Sequence, residues 1–519
     1  MVMKTITAQK LKPLLTAGPE IAFVDVREHG QYGEGHPFFC VCIPFSILEQ
    51  QISYLIPRLT TPLVLMDNGD GVSEKAIKAL DICGYSDVSV LEGGIKGWEN
   101  AGFGIFKGVN LPSKTFGEIL EHERETPSLS AVELKERLDS GENIIILDGR
   151  SPKEYTNMTI PGARSCPNAE LAYRWTQLVP DQTTPVIVNC AGRTRSILGT
   201  EILRLAGVKN PVQALRNGTQ GWNLAGFELS HNNNPGKLPE LAQGELALTV
   251  DLAGEIIEQN SLDLISPDTL SKWQEQAERT TYLIDVRTQE EYRTSHISGA
   301  RHAPGGQLIQ ATDEYVGVRG ARIVLSDDTH LRASITAVWL QRLGHDVSIL
   351  DADASRGTET WVPTPRQFED SVSLSEAHTL FDQGALLLDA SRAMDYRQAH
   401  IRGAEWVTRA RLDRLDIHTS HRVIVTARDA SLISGVVSEL NQRGISLIDW
   451  VQGTPQSWES AGFELEATPH MPTDENCIDY LFFVHDRHDG NLDAARRYLE
   501  WETGLVDQLD DQERGIFNR

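Results

Sequence analysis

The chain carries one pattern four times, and this fourfold repeat constrains the fold more than any other feature of the sequence. Each repeat opens with a short apolar run that ends in an aspartate, at Asp25, Asp148, Asp285 and Asp389. A tyrosine follows seven residues later, at Tyr32, Tyr155, Tyr292 and Tyr396. A second apolar run comes next, and a tryptophan closes each repeat, at Trp98, Trp222, Trp361 and Trp458. We therefore predict four homologous modules.

Within each module, short apolar runs alternate with helical patterns, as in 132–138 before 144–147. Short runs that are buried on both sides and separated by helices are typical of parallel sheets. The sequence thus predicts an α/β protein in which each module is a small parallel sheet with helices on both faces. The predicted segments are module 1 at 1–108, module 2 at 125–232, module 3 at 262–368, module 4 at 370–466 and a C-terminal tail at 467–519. Polar segments near 104–127 and 230–262 are expected to separate the first three modules.

Charge and composition narrow the classes of partner. The chain has 48 Lys and Arg against 73 Asp and Glu, a net charge of −25, which repels nucleic acid and anionic membranes. No stretch approaches the ~20 apolar residues of a membrane helix, and residues 1–20 lack the apolar core of a secretory signal. Six cysteines in 519 residues are too few for a disulfide framework. We expect a cytoplasmic protein with reduced thiols and with neither a nucleic-acid nor a membrane partner, and the oligomeric state stays open.

One loop stands out for its chemistry. The residue after the second apolar run is Asp67, Cys190, Asp327 or Ala427 in modules 1 to 4, so a nucleophile occurs there in module 2 alone. Cys190 falls at a strand-to-helix turn, where backbone N–H groups and the positive helix end favour a thiolate. Arg193 and Arg195 add two cations. A buried structural cysteine is the alternative. The position at a strand end and the basic loop in an acidic chain favour a catalytic cysteine with a stabilised thiolate.

The residues of the repeat and of this loop resemble those of one protein family. The Asp-x-Arg opening, the Gly-Ala step at 162–163, the six-residue loop 190–195 and the closing Gly221-Trp222 resemble the rhodanese family of sulfurtransferases. The resemblance implies that Cys190 takes the sulfane sulfur of a small anionic donor such as thiosulfate as a persulfide. It then passes the sulfur to cyanide or a thiol, with no cofactor and no metal. It further implies a donor-binding set and a supporting set: Ala191, Gly192, Arg193, Thr194 and Arg195 bind the donor, and Asp148, Arg150 and Ser196 support the loop.

Other functions stay open beside this one. A Cys-based phosphatase or arsenate reductase is one alternative. Tyrosine phosphatases and the dual-specificity phosphatases related to rhodaneses place an arginine six residues after the cysteine, where this chain has Ser196, and a shorter loop suits sulfur better than phosphate. 3-Mercaptopyruvate is a second possible donor. Because three modules lack the cysteine, a scaffold or binding protein is the alternative from another class. In two-module rhodaneses an inactive module packs on the active one, so the resemblance also implies that module 1 walls the site of module 2.

Weaker candidates have structural interpretations. Asp148 and Arg150 recur as a pair in modules without cysteine, which favours an internal ion pair over a direct role at the site. Cys166 could act as a resolving thiol, but a packed small residue is the commoner role for such a cysteine. The run His485 to Asp489 suggests a metal, yet such runs are usually solvated surface. We therefore expect no metal site.

Overall fold

A computed structural model describes residues 4–360, 370–488 and 491–518. The chain divides into two compact units. Unit 1 comprises Met1–Leu11, Ala22–Val109 and Pro363–His485, and unit 2 comprises Lys12–Ile21, Asn110–Val362 and Asp486–Arg519. The strands of modules 1 and 4 belong to unit 1, and those of modules 2 and 3 belong to unit 2.

Modules 1 and 2 each build a five-stranded sheet in which every pairing is parallel. Module 1 contains β1 (Lys4–Ile6), α1 (Ala8–Ala17), β2 (Ala22–Asp25), α2 (His29–Glu34), β3 (Val41–Cys42), α3 (Leu48–Leu55), β4 (Leu63–Met66), α4 (Val72–Ile82), β5 (Val88–Leu91) and α5 (Gly94–Asn100). Module 2 and the helix before it contain α6 (Leu111–Arg124), β6 (Ser128–Leu129), α7 (Ala131–Asp139), β7 (Ile145–Asp148), α8 (Pro152–Asn157), β8 (Met158–Thr159), β9 (Arg164–Ser165), α9 (Asn168–Tyr173), α10 (Trp175–Leu178), β10 (Val186–Asn189), α11 (Thr194–Leu205), β11 (Val212–Leu215), α12 (Gly218–Leu224) and β12 (Ser230–His231). The sheet orders are β1-β5-β4-β2-β3 and β6-β11-β10-β7-β9.

Module 3 repeats the five-stranded arrangement, and the described residues of module 4 form a four-stranded sheet without a counterpart of the first edge strand. Module 3 and the helix before it contain α13 (Gln243–Gln259), β13 (Asp263–Ile265), α14 (Pro267–Gln274), β14 (Thr281–Asp285), α15 (Gln289–Thr294), β15 (Arg301–His302), α16 (Gly305–Gln310), β16 (Arg322–Asp327), α17 (Leu331–Arg342) and β17 (Asp346–Asp353). Module 4 contains α18 (Leu374–Asp382), β18 (Leu386–Asp389), α19 (Ala393–Gln398), β19 (His400–Ile401), β20 (Glu405–Trp406), β21 (Val423–Ala427), α20 (Ala430–Gln442), β22 (Ile448–Gln452), α21 (Pro455–Ser460) and β23 (Leu465–Glu466). The orders are β13-β17-β16-β14-β15 and β20-β18-β21-β22.

The C-terminal segment is helical. It contains α22 (Phe482–His485), α23 (Leu492–Thr503) and α24 (Asp511–Gly515). Short 3-10 helices occur at Phe45–Ile47, Thr312–Glu314, Ala354–Arg356, Arg409–Arg414, Asp474–Asn476, Asp486–His488, Val506–Gln508 and Ile516–Asn518.

Both faces of the module 2 sheet are buried, as the continuous apolar runs predict. Ile146 and Ile187 pack into one hydrophobic cluster, whereas Leu147 and Val188, the next residues of the same strands, pack into another. The repeated tyrosines have one shared role, since each hydroxyl donates to a carbonyl eight residues further on: Tyr32 to Cys40, Tyr155 to Ala163, Tyr292 to Ala300 and Tyr396 to Ala404. The predicted α/β architecture of four parallel sheets is confirmed.

Three expectations need correction or comment. The polar segments 104–127 and 230–262 contain helices α6 and α13, because Leu111, Phe116 and Leu120 bury one side of α6 without giving a strong apolar period. Module 2 shares its unit with module 3 and with residues from Asp486 onward, and module 1 shares its unit with module 4, so the expectation that module 1 walls the site of module 2 stays a prediction. Trp361 lies outside the described residues.

A membrane-spanning helix was sought among the described residues. None of their helices is both long and apolar enough to cross a bilayer. The cytoplasmic location stays a prediction.

Candidate active site

Parallel strands place the start of the loop beside Asp148. β10 pairs with β7 so that Asn189 faces Asp148, and Cys190 is the next residue. α11 then begins at Thr194, so loop 190–195 joins a strand end to a helix start, where open α/β sheets bind ligands. Cys190 is 1% exposed. The loop is held from behind by α12: the Thr219 N–H donates to the carbonyl of Cys190 over 2.8 Å.

The contact between α12 and the Cys190 loop requires glycine at position 218. Gly218 has φ +51°, and a Cβ added there would lie 2.2 Å from the Cys190 carbonyl oxygen. In module 2, the glycine-rich turn that closes the repeat therefore supports the Cys190 loop.

Asp148 organises the base of the site. The Arg150 Nε and Nη2 donate to its two carboxylate oxygens over 2.9 and 2.7 Å. Thr159 Oγ1 and Asn189 Nδ2 donate to Oδ2 over 2.6 and 2.9 Å. Equivalent pairs occur in modules without cysteine, between Arg27 and Asp25 and between Arg287 and Asp285. Asp148 and Arg150 thus form the internal ion pair that the repeat suggested.

The two loop arginines are paired with carboxylates. Arg195 donates from Nη1 and Nη2 to the two oxygens of Glu154 over 2.8 and 2.7 Å. Burial acts to raise the pKa of Glu154, but Arg195 and Ser151 have the larger, opposite effect and lower this pKa to about 2. Arg193 donates from Nε and Nη2 to Glu118 over 2.7 and 2.8 Å and also to Glu121. Each guanidinium therefore already has an anionic partner within the protein.

The Cys190 thiol has groups around it that act in opposite directions. Burial raises its pKa, whereas Arg195 and hydrogen bonds from the Ser196 hydroxyl and N–H lower it. The carboxylate of Glu502 raises it again, and the net shift is upward. The expected lowering of this pKa was wrong: loop groups act as predicted, but burial and a carboxylate from outside the repeat outweigh them.

Modules 1 and 3 show what the same loop does with an anion. The backbone N–H of Ser73, six residues after Asp67, donates to that carboxylate over 2.9 Å. In module 3 the N–H of Arg332 donates to Asp327 over 2.8 Å. Ser196 stands six residues after Cys190, as Ser73 does after Asp67. The loops of modules 1 and 3 therefore hold a carboxylate at the position that the sulfur occupies in module 2.

Removing the Ser196 hydroxyl is expected to raise the pKa of Cys190, because a hydrogen bond to the thiolate stabilises it. In Ser196→Ala, the pH at which Cys190 is half-alkylated by iodoacetamide should move upward, and sulfur transfer near neutral pH should fall several-fold. Ser73→Ala is the matched control in module 1. An equal shift in both variants, or none in Ser196→Ala, would contradict this role.

This chain is similar to a known protein family and to several solved structures. The family model described as Rhodanese-like domain matches residues 7–101, 130–225 and 266–356. The solved structure of thiosulfate sulfurtransferase from Pseudomonas aeruginosa is 39% identical, with a TM-score of 0.89 and coverage of 99% of both chains. The chain belongs to the rhodanese family of sulfurtransferases.

Shorter solved structures also match. The Alr3790 protein from Anabaena sp. is 27% identical over 20% of this chain and 82% of its own, with a TM-score of 0.19. BH2092 from Bacillus halodurans is 19% identical over 24% of this chain and 93% of its own, with a TM-score of 0.19. No curated protein matched.

All nine residues that the rhodanese resemblance assigned to the site lie in or directly beneath this loop. The Gln220 N–H donates to the Ala191 carbonyl over 3.1 Å, and Gly192 lies next to Gln220 and Glu502. Thr194 Oγ1 donates to Glu502 over 3.0 Å. Cys166 is fully buried in the core, and burial raises its pKa, which fits a packed residue.

Sequence reasoning missed the carboxylates around the rhodanese loop. Glu154 had a readable signal, because Ser151 and Glu154 form the capping box of α8. Glu118 and Glu121 lie on α6, within the segment 104–127 that the sequence predicts to separate modules 1 and 2. Glu502 lies in a tail that no repeat covers, so no internal comparison could point to it.

Metal ligands were also considered. Among the described residues, no group of three or more His, Cys, Asp or Glu side chains could hold an ion. Asp489, the end of the run that suggested a metal, lies outside the described residues.

Proposed function

We propose that Cys190 carries sulfur as a persulfide. The Cys190 thiolate attacks the sulfane sulfur of thiosulfate, the S–S bond of the donor breaks, and sulfite leaves with the electron pair. The terminal sulfur of the Cys190 persulfide is then attacked by cyanide or a thiolate, which releases thiocyanate or a new persulfide and restores the thiolate. Module 2 performs this chemistry alone, because Asp67, Asp327 and Ala427 cannot carry a persulfide.

The internal comparison carries this proposal. Modules 1 and 3 bind a carboxylate with a backbone N–H six and five residues further on, respectively, so the loop is built to stabilise negative charge at its first residue. Module 2 places Cys190 at that residue, where Arg195 and Ser196 lower the pKa of the thiol. The same donors would stabilise the thiolate and the terminal sulfur of a persulfide.

Thiosulfate is the donor we favour. The similar protein from Pseudomonas aeruginosa is called a thiosulfate sulfurtransferase. Arg193 and Arg195 flank Cys190, although their carboxylate partners reduce the attraction for a dianion. 3-Mercaptopyruvate, with a single carboxylate, is the donor to test beside it.

The test is thiocyanate formation by the full-length protein with cyanide as acceptor and either donor. We expect turnover with thiosulfate, one sulfite released for each thiocyanate, and the ping-pong kinetics of a covalent intermediate. Turnover with 3-mercaptopyruvate alone would overturn the choice of donor. No turnover with either would favour the scaffold or binding protein.

A further inference from the structure

Helix α23, in the C-terminal segment, is anchored within unit 2. It packs against α6 and α12 and buries Tyr498 and Leu499. The Lys114 ammonium of α6 lies 4.9 Å from the centre of the Trp501 ring. Further along, the buried Lys12 pairs with Asp510 over 2.8 Å and with Glu513.

This anchoring brings one carboxylate to the Cys190 loop. Glu502 is 2% exposed, and its Oε1 accepts a hydrogen bond from Thr194 Oγ1 over 3.0 Å. A Cβ added to Gly192 would lie 3.0 Å from Glu502 Oε2. The carboxylate therefore contacts two of the five residues assigned to donor binding.

Two buried polar groups at this point have no hydrogen-bond partner among the described residues. They are Oε2 of Glu502 and the side-chain amide of Gln220, and a Cβ on Gly192 would lie 3.6 Å from the amide nitrogen. A buried oxygen without a partner costs free energy. Folding energetics alone therefore give no reason for a glutamate here.

Charged side chains of the loop and of two neighbouring helices lie beside Cys190. Arg193 and Arg195 belong to the loop, Glu118 and Glu121 to α6, and Glu154 to α8. Each arginine already has a carboxylate partner apart from Glu502. The Glu502 charge thus adds to a surplus of negative charge beside the nucleophile.

We propose that Glu502 is an internal anion that occupies the donor-binding position of the Cys190 loop, so that an anionic donor must displace it. This inference rests on the proposed function. Glu502 is then a specificity-determining residue. It sets the concentration of anionic donor that the loop requires, and it blocks the donor-binding position until a donor displaces it.

The test compares Glu502→Gln with wild type as full-length proteins. Glutamine keeps an oxygen for Thr194 but removes the charge. We expect the KM for thiosulfate to fall about five- to tenfold while kcat stays close to wild type. The pH of half-maximal alkylation of Cys190 should also move downward, because the Glu502 carboxylate raises that thiol's pKa. Glu500→Gln, an exposed carboxylate on the same helix, is the matched control.

Each other outcome has a definite meaning. Unchanged KM and unchanged alkylation in Glu502→Gln would overturn the inference. A fall in kcat at constant KM would also overturn it and make Glu502 a positioning residue. If neither protein transfers sulfur, the proposed function fails, while the alkylation profile still tests the effect of Glu502. Glu502→Asp, which retains the charge on a shorter side chain, should fall between the two and covers the case that the glutamine variant does not fold.

Discussion

Cys190→Ser is expected to abolish sulfur transfer, lowering kcat/KM by about 10³-fold or more. A serine hydroxyl is not ionised near neutral pH and cannot form a persulfide, while the loop N–H groups and Arg195 remain in place. The measurement is thiocyanate production from thiosulfate and cyanide by both proteins at equal concentration.

Cys83→Ser is the control for this experiment. Cys83 lies in module 1 on the side of the sheet that carries α4, and it is part-exposed, so its loss should leave turnover unchanged. Activity that survives in Cys190→Ser would show that another residue is the nucleophile.

Arg332→Met is expected to cause the largest loss of stability. Arg332 is fully buried, and its guanidinium pairs with Asp327, Glu170 and Glu291 over 2.8 to 3.0 Å. Glu170 belongs to module 2, so this one cation joins modules 2 and 3. Removing it leaves the buried Asp327 carboxylate without a cation, while Glu170 and Glu291 keep only Arg174, and this costs about 3–5 kcal/mol of unfolding free energy.

The loss in Arg332→Met should depend on pH. Burial already raises the pKa of Asp327, and loss of Arg332 removes the charge that opposes this rise. A carboxyl whose pKa is higher in the folded state binds more protons when folded, so the variant loses stability as pH rises. Urea unfolding should therefore show a larger difference from wild type at pH 8 than at pH 5.

Arg342→Met provides the comparison. Arg342 lies on the same helix but pairs with the half-exposed Glu123, and such pairs contribute about 1 kcal/mol or less. Equal losses in the two variants, or a loss in Arg332→Met that does not change with pH, would contradict the role of the buried cation.

The sequence predicted the parts of this molecule that repeat. The four sheets follow from the paired apolar runs, and the position of Cys190 follows from its alignment with Asp67 and Asp327. Both are local patterns, in which a strand end and a helix start are adjacent in the chain.

The sequence did not predict the carboxylates around the loop, since their partners are far apart in the chain. Glu118 meets Arg193 across 75 residues, and Glu502 meets Thr194 across 308. Such pairings depend on how distant helices pack, and the repeat pattern of the sequence does not indicate that packing. Burial of Cys190, with a smaller contribution from Glu502, raises the pKa of its thiol, which is the opposite of the expected direction.

The most direct test of the account is to locate the transferred sulfur. Full-length protein would be incubated with thiosulfate, freed of donor, and analysed by mass spectrometry of the intact chain and its peptides. We predict one added mass of about 32 Da, a single sulfur atom, on the peptide that contains Cys190, and its loss on addition of cyanide. Turnover without this adduct, or a cyanide-labile sulfur on another cysteine, would contradict persulfide catalysis at Cys190.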